Sequence, residues 1–263
     1  EPKAQKKPAS DAVAFDHVTF TYPGASRPAL EDVSFSVRPG QVVALVGPSG
    51  GGKTTAASLI PRFWDVDSGR VTVGGADVRE LDSAALMERV AFVFQDTRLF
   101  KESLLENIRA ARPEATRDEV LSAAHAAQCD DVLEKLPQGL DTVVGARGVY
   151  LSGGEQQRIA LARAILKDAP IVVLDEATAF ADPENEHQIQ KAFETLTRNK
   201  TVLMIAHRLS TVQNADSIIV LNEGKIAEQG SHSALLEKNG VYAAMWADYQ
   251  RSAQWKVGKE AAV

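Results

Sequence analysis

The sequence predicts an α/β fold built around a mostly parallel, buried β-sheet. Four short apolar runs carry this prediction, because strands buried on both faces are continuously hydrophobic. The runs are residues 42–46, 171–174, 202–206 and 218–221. Segments with helical character lie between them, for example residues 155–167 and 184–199. Strands that alternate with helices are typical of a parallel sheet covered by helices.

Two runs near the N-terminus have a different pattern. Residues 13–22 and 33–37 alternate between apolar and polar side chains, and each run is followed by a Pro-Gly pair. Alternation with a period of two is typical of a strand with one solvated face, so these runs predict a separate antiparallel sheet. Residues from about 97 to 169 contain no such strand and predict a mostly helical insertion.

Composition bounds the possible functions. The chain has 263 residues, 44% of them hydrophobic, and a formal net charge of -6, which disfavours nonspecific nucleic-acid binding because that requires a basic face. Cys129 is the only cysteine, so an internal disulfide is excluded and a reducing compartment fits. No apolar stretch approaches the roughly 20 residues of a membrane helix. The polar first ten residues are expected to be a linker from a membrane domain or a tail left by trimming.

Residues 47–54 match the phosphate-loop pattern G-x-x-x-x-G-K-[ST] between a predicted buried strand and a predicted helix. Glycines allow backbone N–H groups to turn toward phosphates, Lys53 adds a cation, and Thr54 offers a hydroxyl to Mg²⁺. The nucleotide-binding residues predicted here are Gly47, Pro48, Ser49, Gly50, Gly51, Gly52, Lys53, Thr54 and Thr55.

A second site element follows the apolar run 171–174, which ends in Asp175 and Glu176. Ligands bind at the carboxyl ends of the strands in an open α/β sheet, so both acids are expected near the phosphates. Asp175 can hold Mg²⁺, and Glu176 can accept a proton from an attacking water. By itself, a strand that ends in solvated acids is common; beside a phosphate loop the pair indicates nucleotide hydrolysis.

Residues 151–158, Leu-Ser-Gly-Gly-Glu-Gln-Gln-Arg, precede an Ala-rich helix. A capped helix start explains Ser152 and one glycine, but not the whole run. The run resembles the signature motif of the ATP-binding cassette (ABC) ATPases, and the motif order of residues 11–245 is similar to that family. The resemblance implies a P-loop NTPase (RecA-like) core, an N-terminal antiparallel β subdomain and a helical subdomain at about 97–169, with residues 246–263 as a tail.

The resemblance also implies roles for single residues. Tyr22 is similar to the aromatic residue that stacks on adenine, although a sheet-surface tyrosine is the alternative. Gln95 resembles the glutamine that touches Mg²⁺ or water and senses the membrane domain, and His207 the histidine that contacts the γ-phosphate. Asp182 resembles an aspartate that reaches across a dimer.

In that family two domains form a head-to-tail dimer, identical or different, around ATP and Mg²⁺. Ser152, Gly153 and Gly154 would then contact the nucleotide of the partner. Departures from the family pattern are Glu155, where glutamine is commonest, Ala146, and the run 179–182. These departures favour an asymmetric heterodimer, in which the two chains differ, over the expectation for a chain with the standard motifs.

The segment 142–148 resembles exporter-fold transporters, which places the domain at the cytoplasmic face of the cell membrane, attached to a transmembrane domain. Residues 178–186 resemble half-transporters that handle iron siderophores. The alternatives are a soluble ABC ATPase of DNA repair or translation, and a nonhydrolysing regulator, which conflicts with an intact Asp175–Glu176 pair.

Overall fold

A computed structural model describes residues 7–94, 97–145, 149–175, 183–206 and 209–260 of the chain. The chain divides into two compact units. Unit 1 comprises Glu1–Leu81 and Leu203–Val263, and unit 2 comprises Asp82–Val202.

Ten strands are described. They are β1 Val13–Phe20, β2 Leu30–Val37, β3 Val42–Val46, β4 Ser68–Val73, β5 Ala76–Asp77, β6 Val90–Val93, β7 Ile171–Asp175, β8 Thr201–Ile205, β9 Ser217–Asn222 and β10 Lys225–Gly230.

Nine α-helices are described. They are α1 Lys53–Leu59, α2 Ser83–Arg89, α3 Leu104–Arg109, α4 Arg117–Ala126, α5 Asp130–Lys135, α6 Gly153–Lys167, α7 Pro183–Thr197, α8 His232–Glu237 and α9 Val241–Glu260. None of these helices is long and apolar enough to span a membrane.

The predicted antiparallel sheet is present in unit 1. Its four strands lie in the order β2-β1-β4-β5, and β1 pairs antiparallel with both β2 and β4. The alternating sequence explains one buried face, where Phe15 and Phe35 stack with ring centroids 4.4 Å apart.

The hydrogen-bonded order of the second sheet is β10-β9-β3-β8-β7-β6, and the division between the units falls within β8. The pairs β3–β9 and β6–β7 are parallel, and the edge pair β10–β9 is antiparallel. All five residues of β7 are buried, as a continuously apolar run ending in one acid predicts. The predicted fold class is confirmed.

Helix starts in unit 2 are fixed by local capping. Thr116 and Glu119 form a reciprocal capping box at α4, and Ser152 and Glu155 form one at α6. Each box satisfies backbone donors that a helix start otherwise leaves without partners. The helical part predicted for about 97–169 contains α3 to α6.

In unit 1 the C-terminal segment is helical as far as Glu260. The carboxylate of Glu228 accepts hydrogen bonds from the backbone N–H groups of Val241 and Tyr242 at 3.1 and 2.9 Å, which caps α9. Tyr242 is fully buried in an apolar cluster, and Trp246 and Tyr249 pack against that cluster.

Candidate functional site

The loop between β3 and α1 approaches other backbone too closely for a side chain at three of its glycines. A Cβ on Gly47, whose φ is 138°, would lie 1.9 Å from the carbonyl oxygen of Leu221. Gly52, the N-cap of α1, has φ 101°, and its Cβ would lie 2.8 Å from the carbonyl oxygen of Ala29. A Cβ on Gly51 would also lie 2.7 Å from the carbonyl oxygen of Leu221, so the close approach of these backbones explains three of the four glycines in the predicted loop.

Lys53 places its ammonium inside this loop. The side chain is buried, and Nζ donates to the carbonyl oxygens of Gly47 at 2.9 Å and Pro48 at 2.8 Å. The N–H of Gly51 donates to the carbonyl of Pro48 at 3.1 Å, which closes a tight turn. The loop thus holds one cation at the start of a helix, the arrangement that attracts phosphate.

The rest of the loop faces solvent in the part where a ligand would enter. Pro48, Ser49, Gly50 and Thr54 are exposed, whereas Gly51, Gly52 and Thr55 are buried. Thr54 lies exposed in the first turn of α1, the position from which a residue could ligate a metal ion.

Tyr22 lies beside this helix. Its hydroxyl is 3.0 Å from Oγ1 of Thr55, so a hydrogen bond joins the predicted base-stacking residue to the predicted phosphate-binding helix. The Tyr22 ring also makes edge contacts with Phe20 and Trp64, at centroid distances of 4.9 and 5.5 Å. The sequence predicted neither Trp64 nor the Thr55 contact, because both depend on how the chain folds back after α1.

Asp175 is the last residue of β7 and is buried. It emerges at the carboxyl end of a parallel strand, where the sequence placed it. Gln95, Glu176, Asp182 and His207 lie outside the residues that the structure describes, as does Ala146.

The start of α6 combines exposed and buried residues. Ser152 and Gly153 are exposed, whereas Gly154 and Glu155 are buried. Ser152 Oγ accepts the N–H of Glu155 at 3.2 Å, and Glu155 Oε2 accepts the N–H of Ser152 at 2.8 Å. A Cβ on Gly154 would lie 2.9 Å from the side chain of Asn185, and one on Gly153 would meet no described atom within 4 Å. Close packing therefore requires Gly154 but does not explain Gly153.

Arg158, one turn further along α6, is 1% exposed and connects three segments. Its guanidinium donates to both carboxylate oxygens of Asp131 at 2.6 and 3.0 Å and to Oδ1 of Asn185 at 2.9 Å. It also donates to the carbonyl of Gln128. The hydrogen bond from Arg158 outweighs the effect of burial and lowers the pKa of Asp131. The sequence analysis did not identify Arg158 as a connecting residue. A charged side chain within an Ala-rich helix could have suggested it, but the partners of Arg158 are distant in sequence.

The order of these elements matches one family of proteins. The sequence profile described as ABC transporter matches residues 30–179, more than half of the chain. The chain belongs to the ABC transporter family. Its fold is that of the family's nucleotide-binding ATPase domain, as the signature resemblance predicted.

Relatives of the ABC domain are much longer than this chain. An ATP-dependent lipid A-core flippase of Sodalis glossinidius is 50% identical over 232 residues, which are 88% of this chain and 40% of the flippase. The mycobactin import ATP-binding/permease protein IrtA of Mycobacterium tuberculosis is 51% identical over 247 residues, 94% of this chain and 28% of that protein. The chain therefore spans two fifths or less of these two relatives.

The structure of a bacterial Atm1-family ABC exporter with ATP bound resembles the ABC domain closely. Its TM-score is 0.87 at 43% sequence identity, and the match covers 94% of this chain and 43% of the exporter chain.

The ABC domain has an apolar groove in unit 2 that the sequence did not predict. The groove has a volume of about 640 Å³, and its lining includes Met87, Phe94 and Phe100, all exposed. Arg163 lies over the Phe100 ring at 5.4 Å from the centroid. Exposed apolar side chains that cluster in one groove are a feature of interaction surfaces.

Proposed function

We propose that this chain is the domain of a membrane transporter that binds and hydrolyses ATP through a head-to-tail dimer. The proposal depends chiefly on one observation: Ser152 and Gly153 are exposed at the start of a 15-residue helix whose next two residues are buried. A helix start carries partial positive charge and free N–H groups, so it suits a phosphate brought by a second domain. We assign the ATPase domain to residues 11–245, with its helical part at about 97–169.

The phosphate loop would hold the nucleotide of its own chain. Lys53 supplies a positive charge to the β- and γ-phosphates, while Tyr22 offers its ring to the base. The Thr54 hydroxyl and the Asp175 carboxylate are hard oxygen donors, the ligand type that Mg²⁺ prefers. When bound, Mg²⁺ would neutralise charge on the phosphates.

Hydrolysis needs a group that accepts a proton from water. We propose Glu176 as this base, His207 as a contact to the γ-phosphate, and Gln95 as a contact to Mg²⁺ or the attacking water. Asp182 would reach the partner domain. These four assignments rest on the motif resemblance.

The groove of unit 2 is the surface proposed to receive the membrane-spanning part. Its lining includes Phe94, the residue directly before Gln95, and Gln95 resembles a residue that senses the membrane domain. The name of the 51% identical relative, an ATP-binding/permease protein for mycobactin import, supports a membrane location and a siderophore cargo. Stimulation of ATP turnover by a ferric siderophore in the full-length transporter tests the cargo. The absence of stimulation would reject it.

A Glu176→Gln variant tests the ATPase assignment and the dimer together. The amide keeps the size of the side chain but cannot act as a base, so the variant should bind ATP, hydrolyse it very slowly and form a stable dimer with MgATP. Light scattering after size exclusion, with and without MgATP, measures this.

Adding Ser152→Arg to the same chain should prevent the dimer, because bulk and charge enter the shared site. A Glu176→Gln protein that binds ATP and remains a monomer would contradict the homodimer. It would favour a different partner domain, or a requirement for the membrane part to raise the local concentration.

A further inference from the structure

The signature of this chain places a carboxylate where a triphosphate is proposed to arrive. Glu155 is the third residue of α6, and its side chain is only 10% exposed. Burial by itself would raise the pKa of Glu155, but hydrogen bonds from Lys135 and Ser152 outweigh it and leave the pKa lowered. The group is therefore an anion at neutral pH, close to the exposed Ser152.

An uncompensated anion at this position would oppose the proposed ligand. ATP carries several negative charges, and like charges brought together at an interface oppose association. The helix start supplies only about half of a positive charge, which one carboxylate more than cancels. A cation close to Glu155 is thus required for the signature to attract phosphate.

Lys135 supplies that cation. Its Nζ lies 2.8 Å from Oε1 of Glu155, on the last residue of α5, and the lysine side chain remains 64% exposed. The other oxygen of Glu155 is occupied by the N–H of Ser152. Lys135, Glu155 and Tyr150 also line a hollow of about 220 Å³, and Tyr150 is 82% exposed. The ammonium is therefore open to solvent beside the first turn of α6, where Glu155 is the third residue.

We propose that Lys135 is a positioning residue of the nucleotide site that is shared between two domains. It holds the Glu155 carboxylate in the capping box and neutralises its charge, so that a signature with glutamate in place of glutamine still accepts the partner's triphosphate. This inference rests on the ATP-bridged dimer proposed above.

Variants of the Glu176→Gln chain test this role through the ATP-dependent association constant of the dimer. Lys135→Met should weaken association roughly tenfold or more, because the Glu155 anion then faces the triphosphate alone. Lys135→Arg, which keeps the charge, should associate like its parent.

The double variant Lys135→Met/Glu155→Gln should return to within about threefold of the parent, since it has neither charge. Lys200→Met is the matched control in unit 2. Lys200 pairs with Asp168 at the amino ends of β7 and β8, opposite the strand ends that carry the site.

The possible results separate the two proposals. If the parent binds ATP but does not dimerise, the homodimer proposed above is wrong, and the role of Lys135 in that homodimer fails with it. If the parent dimerises and Lys135→Met associates equally well, only the role of Lys135 is wrong. A double variant as weak as Lys135→Met would also overturn that role, because it would show that Lys135 acts through packing and not through charge.

Discussion

The phosphate loop of unit 1 and the signature of unit 2 solve a similar problem by different means. Both present the start of a helix to a phosphate. The loop is shaped by consecutive residues whose glycines approach the backbone of Leu221 and Ala29. The start of α6 is instead held by side chains from α5 and α7, through Lys135, Asp131 and Asn185. The local half of this comparison is the loop, because the glycines that permit these approaches lie in one short run of the sequence. The long-range half is the start of α6, because its polar side-chain contacts join residues 20 or more positions apart.

The largest effect is expected from Gly47→Ala, which attacks the local half. The new Cβ would lie 1.9 Å from the carbonyl oxygen of Leu221, at a φ of 138° that is unfavourable for alanine. We expect the folded protein to lose about 3 kcal/mol of stability, and ATP binding to be lost with the shape of the loop. Gly50→Ala is the control: at φ 78° it is strained too, but its Cβ would meet no described atom within 4 Å, so about 1 kcal/mol is expected. Thermal unfolding without nucleotide and calorimetry with MgATP measure both; equal losses would contradict the close-approach explanation.

Arg158→Met attacks the long-range half. Removing the guanidinium leaves Asn185 and the Gln128 carbonyl without this donor, and we expect a loss of about 2 kcal/mol, discounted because Asp131 is half-exposed. The monomer's affinity for ATP should change less than about threefold, while ATP-dependent dimerisation falls. An equal loss of ATP affinity in the monomer would show that the two halves are not independently specified.

The same variant predicts a pH dependence. The pKa of Asp131 is lowered in the folded chain, so its ion pair with Arg158 contributes stability above the unfolded pKa of about 3.9. That contribution is lost as the pH falls through the folded pKa. The difference in stability between wild type and Arg158→Met should be constant near neutrality and shrink in acid, as unfolding at a series of pH values would show.

A smaller effect is expected at Tyr22, within the local half. Tyr22→Ala should cost ~1–3 kcal/mol in ATP binding through lost stacking. Tyr22→Phe should weaken ATP binding by about 0.5–1 kcal/mol, because the hydrogen bond to Thr55 is lost. Thr55→Val should resemble Tyr22→Phe, and the double variant should lose no more than either if the hydroxyl pair acts as a unit. Calorimetry measures these ATP affinities. Additive losses in the double variant would show that the two hydroxyls act independently.

The smallest expected effect is on the reactivity of the Cys129 thiol, which lies next in sequence to Gln128, a partner of Arg158. Burial raises the pKa of its thiol to about 12, so almost no thiolate is present at pH 8. Alkylation of the folded wild type should be very slow and should accelerate in Arg158→Met as unit 2 opens. Rapid alkylation of wild type would show that this part of unit 2 is already loose.

The contrast also explains how far the sequence could be interpreted. The strands and the phosphate loop are encoded by neighbouring residues, so their pattern predicted β3, β7 and α1 closely. Ser152 was identifiable as a helix cap for the same reason. The hydrogen bonds of Arg158 and the ion pair between Lys135 and Glu155 join residues 20 or more positions apart. No local sequence pattern predicts such contacts. The groove around Phe100 was missed because single exposed aromatic residues have no sequence signature.

The edge contact between Trp64 and Tyr22 places a fluorescent side chain beside the proposed nucleotide site. The chain has three tryptophans, and Trp64 is 41% exposed with its ring centroid 5.5 Å from that of Tyr22. With Trp246 and Trp255 replaced by phenylalanine, the remaining indole would emit from beside the proposed base-binding residue. Its quenching by an arriving purine would follow nucleotide exchange in real time, without a label on either the protein or the ligand.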